Sequence, residues 1–332
     1  ARHAAAGRGD TLIWTDRGAD PNSAEWLRRW RARHPDGTFD ATPRAAWGLV
    51  DRFRDAGQVA GYVLYRKDPG GRDAYQGAPS DASLDIATTL CGVLDAVAVE
   101  AADEATAQAH GLTRLEDARD RDLAWLIERV GSHASRRVSA SLDPQVWHLR
   151  DLAVANAALV HHGGVEFQDV AARLDAPSLV LGWGFGDEGT FTMRATRAGA
   201  VQTATNWCTN VPVLASGDSG AAFDVPERRV ALVVDADRVD DPSTRYVAFV
   251  LTDGDNVQWA TTNYFLGTLA RDYWAAPERG AIPFGWGLPV ATLPELTPDA
   301  LAYAFDTATA NDDVLLMCVG GYAYPDAFDA DH

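Results

Sequence analysis

Two carboxylates separated by one glycine, Asp253 and Asp255, stand in the string Thr252-Asp-Gly-Asp-Asn-Val-Gln258. Extended backbone would send both side chains from one face, and Gly254 permits a bend that aims them into one cleft. Hydrolysis of a glycosidic bond needs such a pair. One carboxyl protonates the leaving oxygen, while the other attacks the anomeric carbon or activates water. Close pairing also pushes one pKa upward and keeps an acid protonated near neutrality. The same residues equally build a turn closed by an Asx hydrogen bond, and spacing alone favours that plainer outcome. The all-oxygen set would also suit calcium or magnesium, but the loop lacks EF-hand spacing, and no metal or other cofactor is expected.

Glu188 is a third candidate carboxylate, beside Asp187 and close to Trp183 and Phe185. It either serves a sugar site flanked by rings or opens the next helix and complements its dipole. Asn256 and Gln258 are expected to orient sugar hydroxyls, and Trp259, Trp286, Tyr322 and Tyr324 to line the subsite, since apolar sugar faces pack on rings. Trp207 also falls at an expected strand end. Taken singly, each ring is an ordinary core residue; their shared placement at strand ends gives the pattern its interest. Other signals are weaker. His161-His162 has no third ligand at useful spacing, and Ser216-Gly-Asp-Ser-Gly220 lacks the strand–turn–helix setting of a nucleophilic serine. Lys67, the single lysine, precedes Asp-Pro rather than following a phosphate loop.

The elements that must position these residues follow from the periodicity. Tyr246–Leu251 reads as a buried parallel strand running into the Asp253–Asp255 knot, and function in parallel sheets gathers at that edge. Asp313–Tyr324 repeats the plan, a buried strand ending in glycines. Between them the pattern predicts a helix over 262–274, a strand over 282–287 and a helix over 298–307. Upstream, strands are expected at 59–65, 95–99, 137–141, 178–184 and 200–206, with a helix starting at Ala24, helices at 44–56, 83–94 and 145–158, and helix and turn over 190–199. The stretch 101–131 reads as helix-rich. This alternation is an α/β chain: one or more N-terminal layered α/β domains, then the start of a (β/α) barrel-like domain. The expected division is a disordered 1–9, an N-terminal region over 10–226 with a subdomain break near 131–145, and a catalytic domain over 227–332. The Gly/Ser/Asp-rich stretch 208–226 is the expected linker.

With 332 residues, 47% of them hydrophobic, the chain has material for more than one core. Its net charge of −18 argues against nucleic acid or an anionic membrane surface as partner. Three widely spaced cysteines, 91, 208 and 318, exclude a disulfide framework and leave buried thiols as the expectation. No apolar run is long enough to span a membrane, and the first residues lack the apolar core of a signal peptide.

Val319-Gly-Gly-Tyr-Ala-Tyr-Pro325 resembles the hallmark of the GxGYxYP family of glycoside hydrolases. The resemblance extends to Thr252–Gln258, Leu181-Gly-Trp-Gly with Asp187-Glu188, Asn206-Trp-Cys-Thr-Asn210, and Ser83–Asp95. It covers about residue 59 to the end. In one place it departs: the first hallmark glycine is Val319 here. The resemblance implies N-terminal α/β domains followed by a barrel-like catalytic domain, a carbohydrate substrate, a secreted or envelope location, and a chain that continues past the motif. Two other classes remain open: a carbohydrate-binding surface protein without catalysis, and a metal-dependent carbohydrate deacetylase. The deacetylase would need histidines near Asp253, and residues 230–331 contain none.

Overall fold

The computed structural model describes residues 11–15, 21–40, 42–70, 77, 79–183, 186–216, 241–252, 256–267, 273–317 and 321–328. The protein is α/β and folds as two compact units. Ala1–Thr15, Asp36–Val213 and Tyr322–His332 form the first, Asp16–Pro35 and Leu214–Gly321 the second. The sequence placed the boundary at 226/227. The chain instead contributes its hallmark tail to the first unit and the helix Pro21–Arg33 to the second. The expected disorder of residues 1–9 lies outside the described residues.

The first unit holds two parallel sheets. Strands β1 (Gly61–Tyr65), β2 (Ala96–Glu100) and β3 (Arg114–Asp117) form one, in the order β2-β1-β3. β1 is buried from Gly61 to Leu64 because it is central. β3 is a polar, exposed edge, so the stretch 101–131 carries a strand that its composition concealed. The second sheet contains β4 (Val138–Ser141), β5 (Leu159–His161), β6 (Ser178–Leu181) and β7 (Ala200–Thr203), in the order β5-β4-β6-β7. Strand order therefore reverses between β4 and β6, which makes their carboxyl ends a topological switch point.

Helix α1 (Ser83–Leu94) packs on β1, β2 and β5 and so belongs to both sheets. A helix so placed is buried nearly all round, and Ser83, Asp85 and every residue from Ile86 to Gly92 are buried. Its hydroxyls are satisfied locally: Thr88 donates to the Leu84 carbonyl at 2.7 Å, and Thr89 accepts from Val160 N–H at 2.9 Å. Gly92 is needed for close approach, since a Cβ there would meet Ala157 Cα and the Val154 carbonyl, each at 3.0 Å. Leu90, Val63, Leu126, Leu159, Phe167 and Val180 complete the core around this helix. Cys91 and Cys208 are buried free thiols, as expected; Cys318 lies outside the described residues.

Asp85 is the one carboxylate on the buried face of α1. It pairs with Arg150 at 2.8 Å, on α2 (Arg150–Ala155), yet burial outweighs the guanidinium and pushes its pKa to about 6. A folded-state pKa above the unfolded value contributes stability that is complete at low pH and is lost as pH rises through the folded value. Unfolding free energy is therefore expected to fall between about pH 4 and about pH 6, by up to roughly 3 kcal/mol from this group. Asp85→Asn should flatten that limb in denaturant titrations, and an unchanged slope would refute the assignment.

The second unit contains a three-stranded parallel sheet in the order β10-β9-β8: β8 (Val250–Leu251), β9 (Phe284–Leu288) and β10 (Asp312–Leu316). An open sheet of this kind and the first strands of a barrel share one local geometry, so the described residues establish a parallel α/β unit rather than a closed barrel. The buried strand read over 246–251 needs correction. Only Val250 and Leu251 are paired, while Tyr246, Val247 (74% exposed), Phe249 and Val250 are exposed. Among the described residues β8 is an edge, and an apolar run does not distinguish edge from centre. Among the described residues β10 is the other edge, and Leu316 on it is also exposed. In place of one helix over 262–274 there are α3 (Val257–Thr261) and a further turn of helix, Asn263–Leu266. α4 (Pro298–Thr307) lies where the periodicity put it, with Pro298 at its first position. Among the described residues no helix is long and apolar enough to cross a membrane.

Candidate functional site

Asp253, Gly254 and Asp255 lie outside the described residues. Their flanks are defined: Leu251 ends β8, and Asn256 occupies the N-cap position of α3. The knot thus joins the carboxyl end of a parallel strand to a helix N-terminus, where functional loops of α/β sheets sit. Asn256 and Gln258 are both buried, with Gln258 Nε2 donating to Asn256 Oδ1 at 3.4 Å. Trp259, one residue on, is half-buried.

Trp286 is not at a strand end. It is the third residue of β9, only 6% exposed, packed on Trp274 with ring centroids 5.2 Å apart and on Phe284 at 4.8 Å. Its indole N–H donates to Asp312 Oδ1 at 2.8 Å. A ring so enclosed stabilises the sheet and offers no face to a ligand. Its expected place in the subsite rests on a strand ending at 287; β9 instead runs on to Leu288, and the glycines on either side of the ring make room for neighbours. A Cβ on Gly285 would meet Leu315 Cδ1 at 2.8 Å, and one on Gly287 would meet Met317 Cγ.

The remaining candidates lie in the first unit, at the carboxyl edge of β6 and β7. Glu188 is exposed and begins α5 (Glu188–Arg197). Asp187 caps that helix, accepting Thr190 N–H at 2.8 Å, and hydrogen bonding from Thr190, its side chain first and its N–H second, holds the carboxyl below the ordinary range. The helix-opening alternative thus describes where Glu188 sits. Tyr322 forms an antiparallel bridge with Gln202 on β7: Tyr322 N–H donates to the Gln202 carbonyl at 2.6 Å, and Gln202 N–H returns the bond at 3.1 Å. Its ring meets Trp183 edge-on, with centroids 5.8 Å apart. Tyr324 N–H donates to Thr196 Oγ1 at 3.1 Å, and its hydroxyl lies 3.6 Å from where a Cβ on Gly189 would stand. The hallmark tyrosines therefore belong with Trp183 and Glu188. Val319 and Gly320 lie outside the described residues.

Gly182 makes this edge possible. At φ +76° it turns the chain out of β6, with its N–H shared between the Thr203 carbonyl at 3.0 Å and Thr205 Oγ1 at 2.9 Å. A Cβ there would stand 2.7 Å from the Ser141 carbonyl across the switch point. Gly182→Ala is expected to cost about 2–3 kcal/mol, from left-handed backbone strain and overpacking together, read as a lowered denaturation midpoint.

The sequence marks the other half of the edge only through Trp207, at an expected strand end, and the Asn206–Asn210 string of the resemblance. Asn206 follows β7, is 8% exposed, and donates weakly from Nδ2 to the Trp183 carbonyl at 3.5 Å. Trp207, beside it, is 44% exposed. The expected linker begins immediately after, but its first part is folded. Asn210 holds Thr15 by two backbone bonds, accepting from its N–H at 2.7 Å and donating to its carbonyl at 3.1 Å. His161 ends β5 and is buried. His162 hydrogen-bonds the Leu142 carbonyl at 3.2 Å and the Gly77 carbonyl at 3.1 Å, and no metal-holding cluster occurs among the described residues.

Two family models match the chain. Residues 59–134 match the one described as "GxGYxYP_N second domain", and residues 243–332 match the "GxGYxYP putative glycoside hydrolase C-terminal domain". A solved structure described as a putative hydrolase from Bacteroides thetaiotaomicron superposes over 93% of this chain with a TM-score of 0.70 at 21% identity. At that identity the likeness speaks for the fold, and the chain spans 58% of that protein's length. No curated protein matches.

Proposed function

The chain belongs to the GxGYxYP family, and from that premise we propose that it hydrolyses glycosidic bonds through carboxylates in the knot after β8. The observation that carries this reading is the placement of Thr252–Gln258. It follows the carboxyl end of a parallel strand, precedes a helix N-terminus, and falls inside the matched C-terminal domain. Asp255 and Asp253 are the acid–nucleophile or acid–base pair, with Glu188 the third candidate. Asn256, Gln258 and Trp259 serve substrate hydroxyls and ring faces from α3. Trp286 supports the sheet behind them. The test is release of new reducing ends from a panel of α- and β-linked oligosaccharides and polysaccharides. Release from at least one is the expected result, and release from none overturns the reading.

A second reading, carbohydrate binding without cleavage, draws on the exposed Trp207 and Tyr324 at the β6–β7 edge. Binding of a glycan that the protein never cleaves would select it.

A further inference from the structure

We propose that the chain forms a two-fold dimer through the outer edge of β8, the exposed run Tyr246–Val250 of one copy pairing antiparallel with the same run of a second copy. The inference rests on the sheet of the second unit and is independent of the hydrolase reading.

The backbone supplies the first argument. Along a strand in a parallel ladder, successive residues turn their N–H and C=O groups to opposite sides. Phe249 accepts Gly285 N–H at 2.9 Å, so its carbonyl faces β9. Val250 stands opposite Gly285, so its own N–H and C=O face away from β9. Continued extension upstream turns those of Ala248 and Tyr246 the same way. Among the described residues no hydrogen bond reaches the main chain of Tyr246, Ala248 or Val250 from that side.

The side chains supply the second. Tyr246, Val247, Phe249 and Val250 are all exposed, Val247 by 74%. Soluble proteins protect a bare edge with lysine, proline or charge, and residues 246–251 contain none of these. An apolar edge left this way calls for a cover.

Self-complementarity names the cover. Outward-facing groups must meet outward-facing groups, so Tyr246, Ala248 and Val250 can oppose only one another. Of the registers that remain, the one centred on Ala248 lays the whole run against itself. Ala248 then meets its own mate at the two-fold axis, Tyr246 meets Val250, and Val247 meets Phe249. Each ring faces a β-branched side chain, a pairing that stabilises antiparallel ladders, and a small residue sits where two identical side chains must meet. Charge agrees. The chain carries −18, so approach through most of its surface is repulsive, whereas this run is neutral and has the cation Arg245 beside it. Pairing covers on the order of 1,000 Å² in total, below the range of permanent complexes, so the dimer dissociates on dilution.

The experiment is sedimentation velocity on the intact chain from about 1 to about 100 μM. Monomer at the low end and dimer at the high end is expected. Ala248→Pro removes an outward N–H and leaves the ladder to β9 untouched, so it should stay monomeric throughout with unchanged circular dichroism. Cross-linking tests the register without relying on that variant. Facing residues of a hydrogen-bonded pair stand about 5.5 Å apart at Cα, within reach of a disulfide. Ala248→Cys, in a Cys318→Ser background, should therefore link two copies under mild oxidation. Val247→Cys in the same background should not, because its mate lies on the diagonal at about 7–8 Å. A monomer at every concentration overturns the proposal and leaves the edge to another segment or partner. A dimer indifferent to Ala248→Pro, or cross-linking no greater at 248 than at 247, overturns it as well.

Discussion

Asp255→Asn is expected to lower glycoside cleavage by about a thousandfold or more while leaving the fold intact. The substitution is nearly isosteric. An asparagine closes an Asx turn as well as an aspartate, so a knot that is only a turn would tolerate it and keep activity. A working carboxylate cannot be replaced in this way, because an amide neither transfers the proton nor stabilises the developing positive charge. Asp253→Asn separates the roles. Loss in both variants identifies the pair as local to the knot. Loss in Asp255→Asn alone sends the search for the partner elsewhere, with Glu188→Gln as the next variant. The pH profile adds an independent reading, since removing either member of a pair abolishes one limb of a bell-shaped curve.

The second large effect is structural. Asp312→Ala is expected to destabilise the second unit by about 3 kcal/mol, because it leaves the largely covered Arg279 guanidinium (14% exposed) without its carboxylate and strands the Trp286 and Thr309 N–H donors. Asp312 is fully buried at the start of β10. It accepts from Arg279, from Trp286 Nε1 at 2.8 Å and from Thr309 N–H at 2.7 Å. Arg279 in turn covers the Trp274 ring, 4.6 Å from its centroid. Burial alone would raise the Asp312 pKa, but the Thr309 and Trp286 hydrogen bonds and the Arg279 charge hold it below the ordinary value. A depressed folded-state pKa contributes stability above the unfolded value that is lost as pH falls through the folded one. The Asp312→Ala penalty should therefore shrink in acid. Tryptophan fluorescence during denaturant titration at neutral and acid pH reads both effects. A penalty under about 1 kcal/mol at neutral pH would show that the network is not stabilising.

Where one physical signal dominated, the sequence was a sufficient guide. β1 is an apolar, β-branched and aromatic run at the centre of a sheet, and α4 has proline at its first position and apolar residues at helical spacing. Competing signals defeated it elsewhere. Among the described residues Arg114–Asp117 is an edge strand made of polar residues, while Tyr246–Val250, leading into another edge, is apolar yet exposed. Sheet position is a long-range property that no local window contains. The functional motifs were legible as strings, since Trp183, Glu188, Tyr322 and Tyr324 were each noticed. Their grouping was not, because two of them come from the far end of the chain. Asn206 gave no signal by type; only its burial with an unpaired oxygen distinguishes it from any other asparagine after a strand.

The bridge between Gln202 and Tyr322 has a consequence for how the protein is made. Among the described residues β7 is the last strand of its sheet, so until Tyr322 emerges the outer N–H and C=O of Gln202 face water or any other strand available. At ordinary translation rates the intervening segment takes on the order of ten seconds to synthesise. Closing so long a loop makes this a late and slow contact. The first unit is thus assembled in two instalments, and a nascent or truncated chain ending near Val213 carries an open, pairing-competent edge. The hallmark segment, whatever it binds, is also the piece that occupies this edge at Gln202.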